Sequence, residues 1–194
     1  MKVNEIFYSL QGEGFHTGKA AAFIRFSGCN LQCSFCDTDH SSHRDMSEDE
    51  IIAFIASYPS SHVVITGGEP TLQITDSFLK KLHDNGKYVQ IETNGSIALP
   101  REIVDNIDWI TCSPKNLQVK LGRIDELKVL YTGENVDMSK YSNLINDNTV
   151  LCLQPCDYSD CNKNKDILEG AIEFVKQNPR WRLSLQTHKL IDIK

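Results

Sequence analysis

A chain of 194 residues has the length of one domain that buries roughly 70% of the surface its unfolded form exposes, so 1-194 reads as a single unit. Twenty basic against 26 acidic side chains give a net charge of -6, the wrong sign for a grip on nucleic-acid phosphates. Hydrophobic residues at 40% and charged residues at 24% exclude a disordered or fibrous chain, and no apolar run approaches the roughly 20 residues of a membrane span.

The first peptide, MKVNEIFYSLQGEG, lacks the continuous apolar stretch of a secretion signal, so a cytoplasmic location is expected. Apolar, β-branched runs predict strands over 3–7 and 21–26. Between them, GEGFHTG spaces its glycines one residue too widely for a dinucleotide-binding turn. Directly after the second strand comes the loop GCNLQCSFCDTDH, in which Cys29, Cys33 and Cys36 form C-x3-C-x2-C. Seven cysteines in a reducing compartment, an odd number, point away from disulfides and toward metal or redox chemistry. Three thiolates leave one metal position open; His40 or Asp37 could complete a zinc site, while iron–sulfur clusters also take thiolates.

Ser47 with Glu50 makes a capping box ahead of Ile51, Ile52, Phe54 and Ile55, predicting a helix there. Further helices are predicted over 76–85, ending at Gly86, and over 166–177, stopped by Pro179. Strands are predicted over 63–66, 88–92, 109–112, 127–131, 150–154 and 183–187, with short flexible connections at 132–135 and 157–165. Several strands are too continuously apolar for a sheet with one wet face. Alternation of strand and helix favours parallel βαβ units, in which TGGEP, ETNG, SPK, QPCD and QTHK all fall at strand ends on one rim.

The three-cysteine motif with Phe35 before its last member, followed one βα unit later by GGEP, resembles the radical S-adenosylmethionine superfamily. Together with FYSLQGEG, IETNG, SPK and WRLSLQTHK, spread over nearly the whole chain, it resembles the 7-carboxy-7-deazaguanine synthase family. The resemblance implies an α/β fold, a partial, abbreviated parallel barrel with reduced helix content. It also implies a [4Fe–4S] cluster held by Cys29, Cys33 and Cys36, with S-adenosylmethionine on its fourth iron. Phe35, Asp37, Gly68, Glu69, Ser113, Lys115, Gln154, Pro155, Cys156 and Asp157 correspond to positions near that cofactor. Leu10, Gln11, Gly12, Glu13, Arg25, Thr66, His188 and Lys194 correspond to positions around the substrate, the last through its main-chain carboxylate.

Thr38 corresponds to a magnesium ligand. The implied reaction converts 6-carboxy-5,6,7,8-tetrahydropterin to 7-carboxy-7-deazaguanine with ring contraction and loss of ammonia, in queuosine precursor biosynthesis. No side chain is expected to act as a catalytic acid or nucleophile, because the cofactor carries the radical. The expected partners are a low-potential donor such as a flavodoxin or ferredoxin and a second copy in a homodimer, with no nucleic acid and no membrane. Two rivals stand beside this reading. One is an activase acting on a glycyl-radical protein; the other is a non-catalytic zinc or iron–sulfur module, which would leave the strand-end peptides without a purpose. Cys152, Cys156 and Cys161 depart from the pattern; Cys152 sits in an apolar alternation and is expected, with Cys112, to pack as a small hydrophobe.

Overall fold

The computed structural model describes residues 1–36, 38–39, 42–115, 118–133, 138–158 and 160–194. Seven of the expected strands form: β1 (Lys2–Leu10) and β2 (Ala20–Phe26), then β4 (His62–Gly67), β5 (Tyr88–Thr93), β6 (Trp109–Cys112), β7 (Glu126–Tyr131) and β8 (Val150–Pro155). Two more complete the sheet, the two-residue β3 (Arg44–Asp45) and β9 (Trp181–Leu183). Their order is β3-β1-β2-β4-β5-β6-β7-β8-β9, an open sheet whose end strands do not meet. From β2 across to β9 every neighbouring pair is parallel, so the carboxyl ends of seven strands share one rim. The edge departs from the parallel expectation, because β1 lies antiparallel to both β2 and β3.

The helices are α1 (Glu48–Ile55), α2 (Asp76–Asp84), α3 (Arg101–Asp105), α4 (Cys161–Gln177) and α5 (Thr187–Leu190). The capping box is present in full, with the Glu50 N–H on Ser47 Oγ at 3.2 Å and the Ser47 N–H on Glu50 Oε2 at 2.7 Å. Thr75 Oγ1 caps α2 by accepting the Phe78 N–H at 3.1 Å, and Gly86, at φ +66°, ends it. None of the described helices is long and apolar enough to cross a membrane.

Two expectations are corrected at the carboxyl end. The stretch 157–165 is not merely a flexible connection, for α4 begins at Cys161, earlier than 166. Its polar start, CNKNK, carries no apolar period, but Asp160 Oδ1 accepts the N–H groups of Asn162 and Lys163 at 3.0 and 3.1 Å and supplies the cap. The strand expected over 183–187 is found over Trp181–Leu183 instead. Past Leu183 the chain turns away: Thr187 opens α5 and gives its N–H to Gly12 O at 2.9 Å. The other expected connection, 132–135, lies partly outside the described residues.

Alternation along each parallel strand sorts side chains by face. One set, including Ile24, Phe26, Ile65, Ile91, Ile110, Leu127 and Leu153, joins Ile51, Ile55, Phe78, Leu79 and Leu82 of α1 and α2 in the main core. The intervening set carries Phe23, Arg25, Val64, Thr66, Gln90, Glu92, Thr111, Glu126, Lys128, Cys152 and Gln154. Most of these are buried although many are polar, so both faces are covered, one by helices and the other in part by the loop after β1, where Phe15 stacks on Trp109 and gives its N–H to Glu126.

Candidate active site

The thiol loop leaves β2 through Gly28, at φ +94°. Cys29 and Cys33 are half-buried and Cys36 is exposed; all seven cysteines are free thiols. Its stem is tied to the next two strand ends. Glu69 gives its N–H to Gly28 O at 2.9 Å, and a Cβ on Gly68 would stand 2.0 Å from that same carbonyl, so only glycine allows this approach. From the ETNG turn, Asn94 Nδ2 donates to Asn30 Oδ1 at 3.1 Å, and Asn30 Nδ2 donates to Ser96 Oγ at 2.9 Å.

Glu69 organises this junction from below. It is fully buried, and its carboxylate accepts from Thr71 N–H and Oγ1 (3.1 and 2.5 Å), Thr93 Oγ1 (2.6 Å) and the Asn94 N–H (2.8 Å). Three of these donors meet Oε1 and one meets Oε2. Gly68, its neighbour in the chain, lines the cavity.

On the rim lies a cavity of about 270 Å³ that brings together nearly all the remaining expected residues. Cys29, Cys33, Phe35 and Cys36 line one side, with Gly68, Ser113, Lys115 and the run Gln154, Pro155, Cys156 and Asp157. Leu10, Gln11, Gly12, Glu13, Arg25, Thr38, Thr66, His188 and Lys194 line the rest. Asp37 and His40 lie outside the described residues. Lys115, which alone would read as solvated surface, gives its ammonium to Ser113 Oγ at 2.8 Å and stands 5.8 Å from the centre of the Phe35 ring.

The polar walls are opposite in sign. On one side Lys128, 4% exposed, bridges Glu13 and Glu92; Gln11 Nε2 donates to Glu92 Oε1 and Gln186 Nε2 to Glu13 Oε1, each at 2.8 Å. Burial alone would raise the Glu13 carboxyl, but the Lys128 charge and hydrogen bonds outweigh it and hold it well below the usual carboxylate range. On the other side Arg25 Nε and Lys194 Nζ share the Glu5 carboxylate at 2.9 and 2.6 Å, and Arg25 Nη1 donates to Thr38 Oγ1 at 3.2 Å. Two carboxylates against one ammonium face two cations against one carboxylate. A ligand with donors at one end and a negative charge at the other fits between them.

Glu5, Glu92, Lys128 and Gln186 were not among the residues singled out by motif. Lys128 had a legible signal, a lysine inside the strand run ELKVLY; Glu92 stood in the quoted ETNG peptide. Gln186 stood in the quoted QTHK peptide, whereas Glu5 reaches this wall only through Arg25 and Lys194, by the pairing of β1 with β2 and the return of the chain at α5, which no local pattern encodes.

The donor set suits an iron–sulfur cluster: three thiols free of disulfides, on one loop, facing one cavity. Burial, the Glu69 carboxylate and the two other thiols all raise the Cys29 thiol, against one backbone N–H from Leu31, so its thiolate calls for a cationic partner. Among the described residues no three His, Cys, Asp or Glu side chains form a ready-made single-ion site. Binding would therefore draw the loop in, as metal binding commonly orders its ligands.

Comparison with known proteins gives the family. The family profile described as the radical SAM superfamily matches residues 23–127. The 7-carboxy-7-deazaguanine synthase of Bacteroides thetaiotaomicron is 54% identical over 195 residues, spanning 100% of this chain and 98% of that protein. The 7-carboxy-7-deazaguanine synthase of Bradyrhizobium diazoefficiens is 37% identical over 215 residues, spanning 99% of this chain and 98% of that protein. The crystal structure of QueE from Escherichia coli superposes with a TM-score of 0.75 at 30% identity, over 95% of this chain and 92% of that one.

Proposed function

The chain belongs to the 7-carboxy-7-deazaguanine synthase family of the radical S-adenosylmethionine superfamily, and on that premise we propose how its cavity performs the family's reaction. The substrate is 6-carboxy-5,6,7,8-tetrahydropterin, and the product is 7-carboxy-7-deazaguanine, formed by ring contraction with loss of ammonia. The observation that carries the reading is the meeting of the thiol loop, the cofactor-side strand ends and the two oppositely charged walls in a single cavity.

Cys29, Cys33 and Cys36 would hold the [4Fe–4S] cluster, leaving one iron open to S-adenosylmethionine. When bound, the cluster and S-adenosylmethionine would supply the one-electron radical chemistry for the pterin held beside them. Phe35, Gly68, Ser113, Lys115, Gln154, Pro155, Cys156 and Asp157 would line the cofactor's berth. Glu69 supports that berth through Thr93 and Asn94. Glu13, Gln11 and Glu92 would accept from the guanidine-like edge of the pterin, and Arg25 would give its guanidinium to the pterin carboxylate. Leu10, Gly12, Thr66 and His188 close the cavity around the ring; His188 lies so near the Gly12 backbone that a Cβ there would be 2.2 Å from Nδ1.

Magnesium, as a further ligand, would take the Thr38 hydroxyl with the substrate carboxylate supplying charge, releasing Arg25 from its present contact with Thr38. We read residues 1–194 as one radical S-adenosylmethionine domain, reduced by a small low-potential electron-transfer protein such as a flavodoxin or ferredoxin and working as a homodimer in the cytoplasm. Anaerobically reconstituted, reduced protein given S-adenosylmethionine, magnesium and the pterin is expected to form a product of the deazaguanine mass. Cleavage of S-adenosylmethionine with the pterin unchanged would overturn the assignment.

A further inference from the structure

Lys128 projects from the middle of β7 into the cavity wall, one of the most completely buried charged side chains in the protein. An ammonium there is costly unless it is paired. It meets Glu13 from the loop after β1, and Glu92 from β5 at 3.2 Å. The remaining oxygens of those carboxylates take Gln186 and Gln11. Five side chains from four stretches of the sequence thus form one row, with the Lys128 ammonium between its two carboxylates.

We propose that Lys128 is a positioning residue for substrate recognition: it fixes Glu13 and Glu92 side by side as acceptors, so that the row reads a ligand edge rich in N–H donors. The proposal rests on the functional reading above and extends it to a residue outside the family peptides. The physical reason is repulsion. Without the ammonium, two half-buried carboxylates that now share one partner would repel each other; one would be driven to take a proton, lose its acceptor character and turn away. Burial opposes the charge on Lys128, but Glu13, Glu92 and Glu126 outweigh it and hold the ammonium above the ordinary lysine range. The other ionisable groups facing this row are Cys152 of β8, within electrostatic reach of Lys128, and His188 of α5, within reach of Glu13.

The test uses the reconstituted holoenzyme and compares wild type with Lys128→Met and with the double variant Glu92→Gln/Lys128→Met, which removes one charge of each sign. Iron content, binding of the pterin by equilibrium dialysis with mass detection, and KM and kcat are measured from pH 6.5 to 8.5. Lys128→Met is expected to raise the pterin Kd and KM at least tenfold. It should also introduce a new loss of affinity toward low pH, absent in wild type. The double variant is expected to keep the raised Kd but lose the pH dependence, because a single carboxylate has no partner to repel it. Pterin affinity unchanged in either variant would overturn the proposal, as would a fall in kcat and iron with KM and its pH profile untouched. If Lys128→Met fails to fold, the double variant decides alone, and a wild-type Kd there overturns the proposal. A wild-type protein that does not turn over the pterin would instead count against the functional reading itself.

Discussion

His16 shows how one side chain can set a property the site does not use. Its ring is 4% exposed and lies among Phe15, His62, Tyr88 and Trp109, with centroids 4.8 to 5.9 Å away, and neither nitrogen has a hydrogen-bond partner among the described residues. Burial, with the nearby Lys19 and His62, pushes its pKa down to about 4. An unfolded chain takes that proton near the ordinary histidine pKa and the folded one does not, so acidification from about 6.5 to about 4 favours the unfolded state. Urea denaturation of the metal-free chain should show His16→Leu losing on the order of 1 to 3 kcal/mol less stability than wild type between pH 7 and pH 4.5. Gly68 is the opposite case, a residue needed for its lack of a side chain. Its Cβ would stand 2.0 Å from Gly28 O and 3.0 Å from Cys29 Cβ, and backbone cannot yield as a flexible side chain can. Gly68→Ala is expected to cost about 1 to 3 kcal/mol and to halve, at least, the iron retained on reconstitution, as iron analysis per chain would report.

Among the elements, strand identity was legible wherever an apolar, β-branched run was bounded by glycine or proline, and least legible where pairing depends on a partner. Two-residue β3 pairs with the edge that β1 offers, and just past the end of β9 Ser184 Oγ donates to Gln154 Oε1 and accepts the Gly14 N–H while the chain turns toward Gly12. The second cysteine group is divided by its elements. Cys152 is buried on β8 with its thiol raised by burial and by Glu126; Cys156 is buried at the cavity; Cys161 is exposed as the first residue of α4. Replacing Cys152, Cys156 and Cys161 together with serine should therefore leave about four irons per chain after reconstitution, one cubane's worth. Loss of half the iron from a protein that began with more than four would show a second cluster.

For the whole molecule, the decisive arrangement is the meeting of its two ends. Ser9 Oγ donates to Lys194 O at 2.5 Å, the Lys194 ammonium pairs with Glu5 and lies 5.1 Å from the Phe7 ring centre, and Thr187 binds Gly12 O through both N–H and hydroxyl. The tail expected to reach the pocket is thus held against β1, with its side chain engaged as well. A short peptide fused after Lys194 would start from a residue that lines the cavity. We expect it to raise the pterin KM several-fold while leaving iron content and S-adenosylmethionine binding intact; unchanged substrate kinetics would show that this end plays no part.

What the sequence determined by itself was chemistry with local grammar. Three thiols at C-x3-C-x2-C point to a metal centre with one position open, and the strand-end peptides follow from glycine, proline and apolar runs within a few residues. The capping box is likewise readable from Ser47 and Glu50 alone. What only the tertiary structure decided was which charges face one another. Lys128, Glu13 and Glu92 lie 36 to 115 residues apart along the chain, and Glu5 meets Lys194 only because the last turn folds back across β1. A buried ion pair leaves no periodic trace: its cost is met by a partner that may stand anywhere in the sequence, so its meaning appears only when the sheet brings the two together.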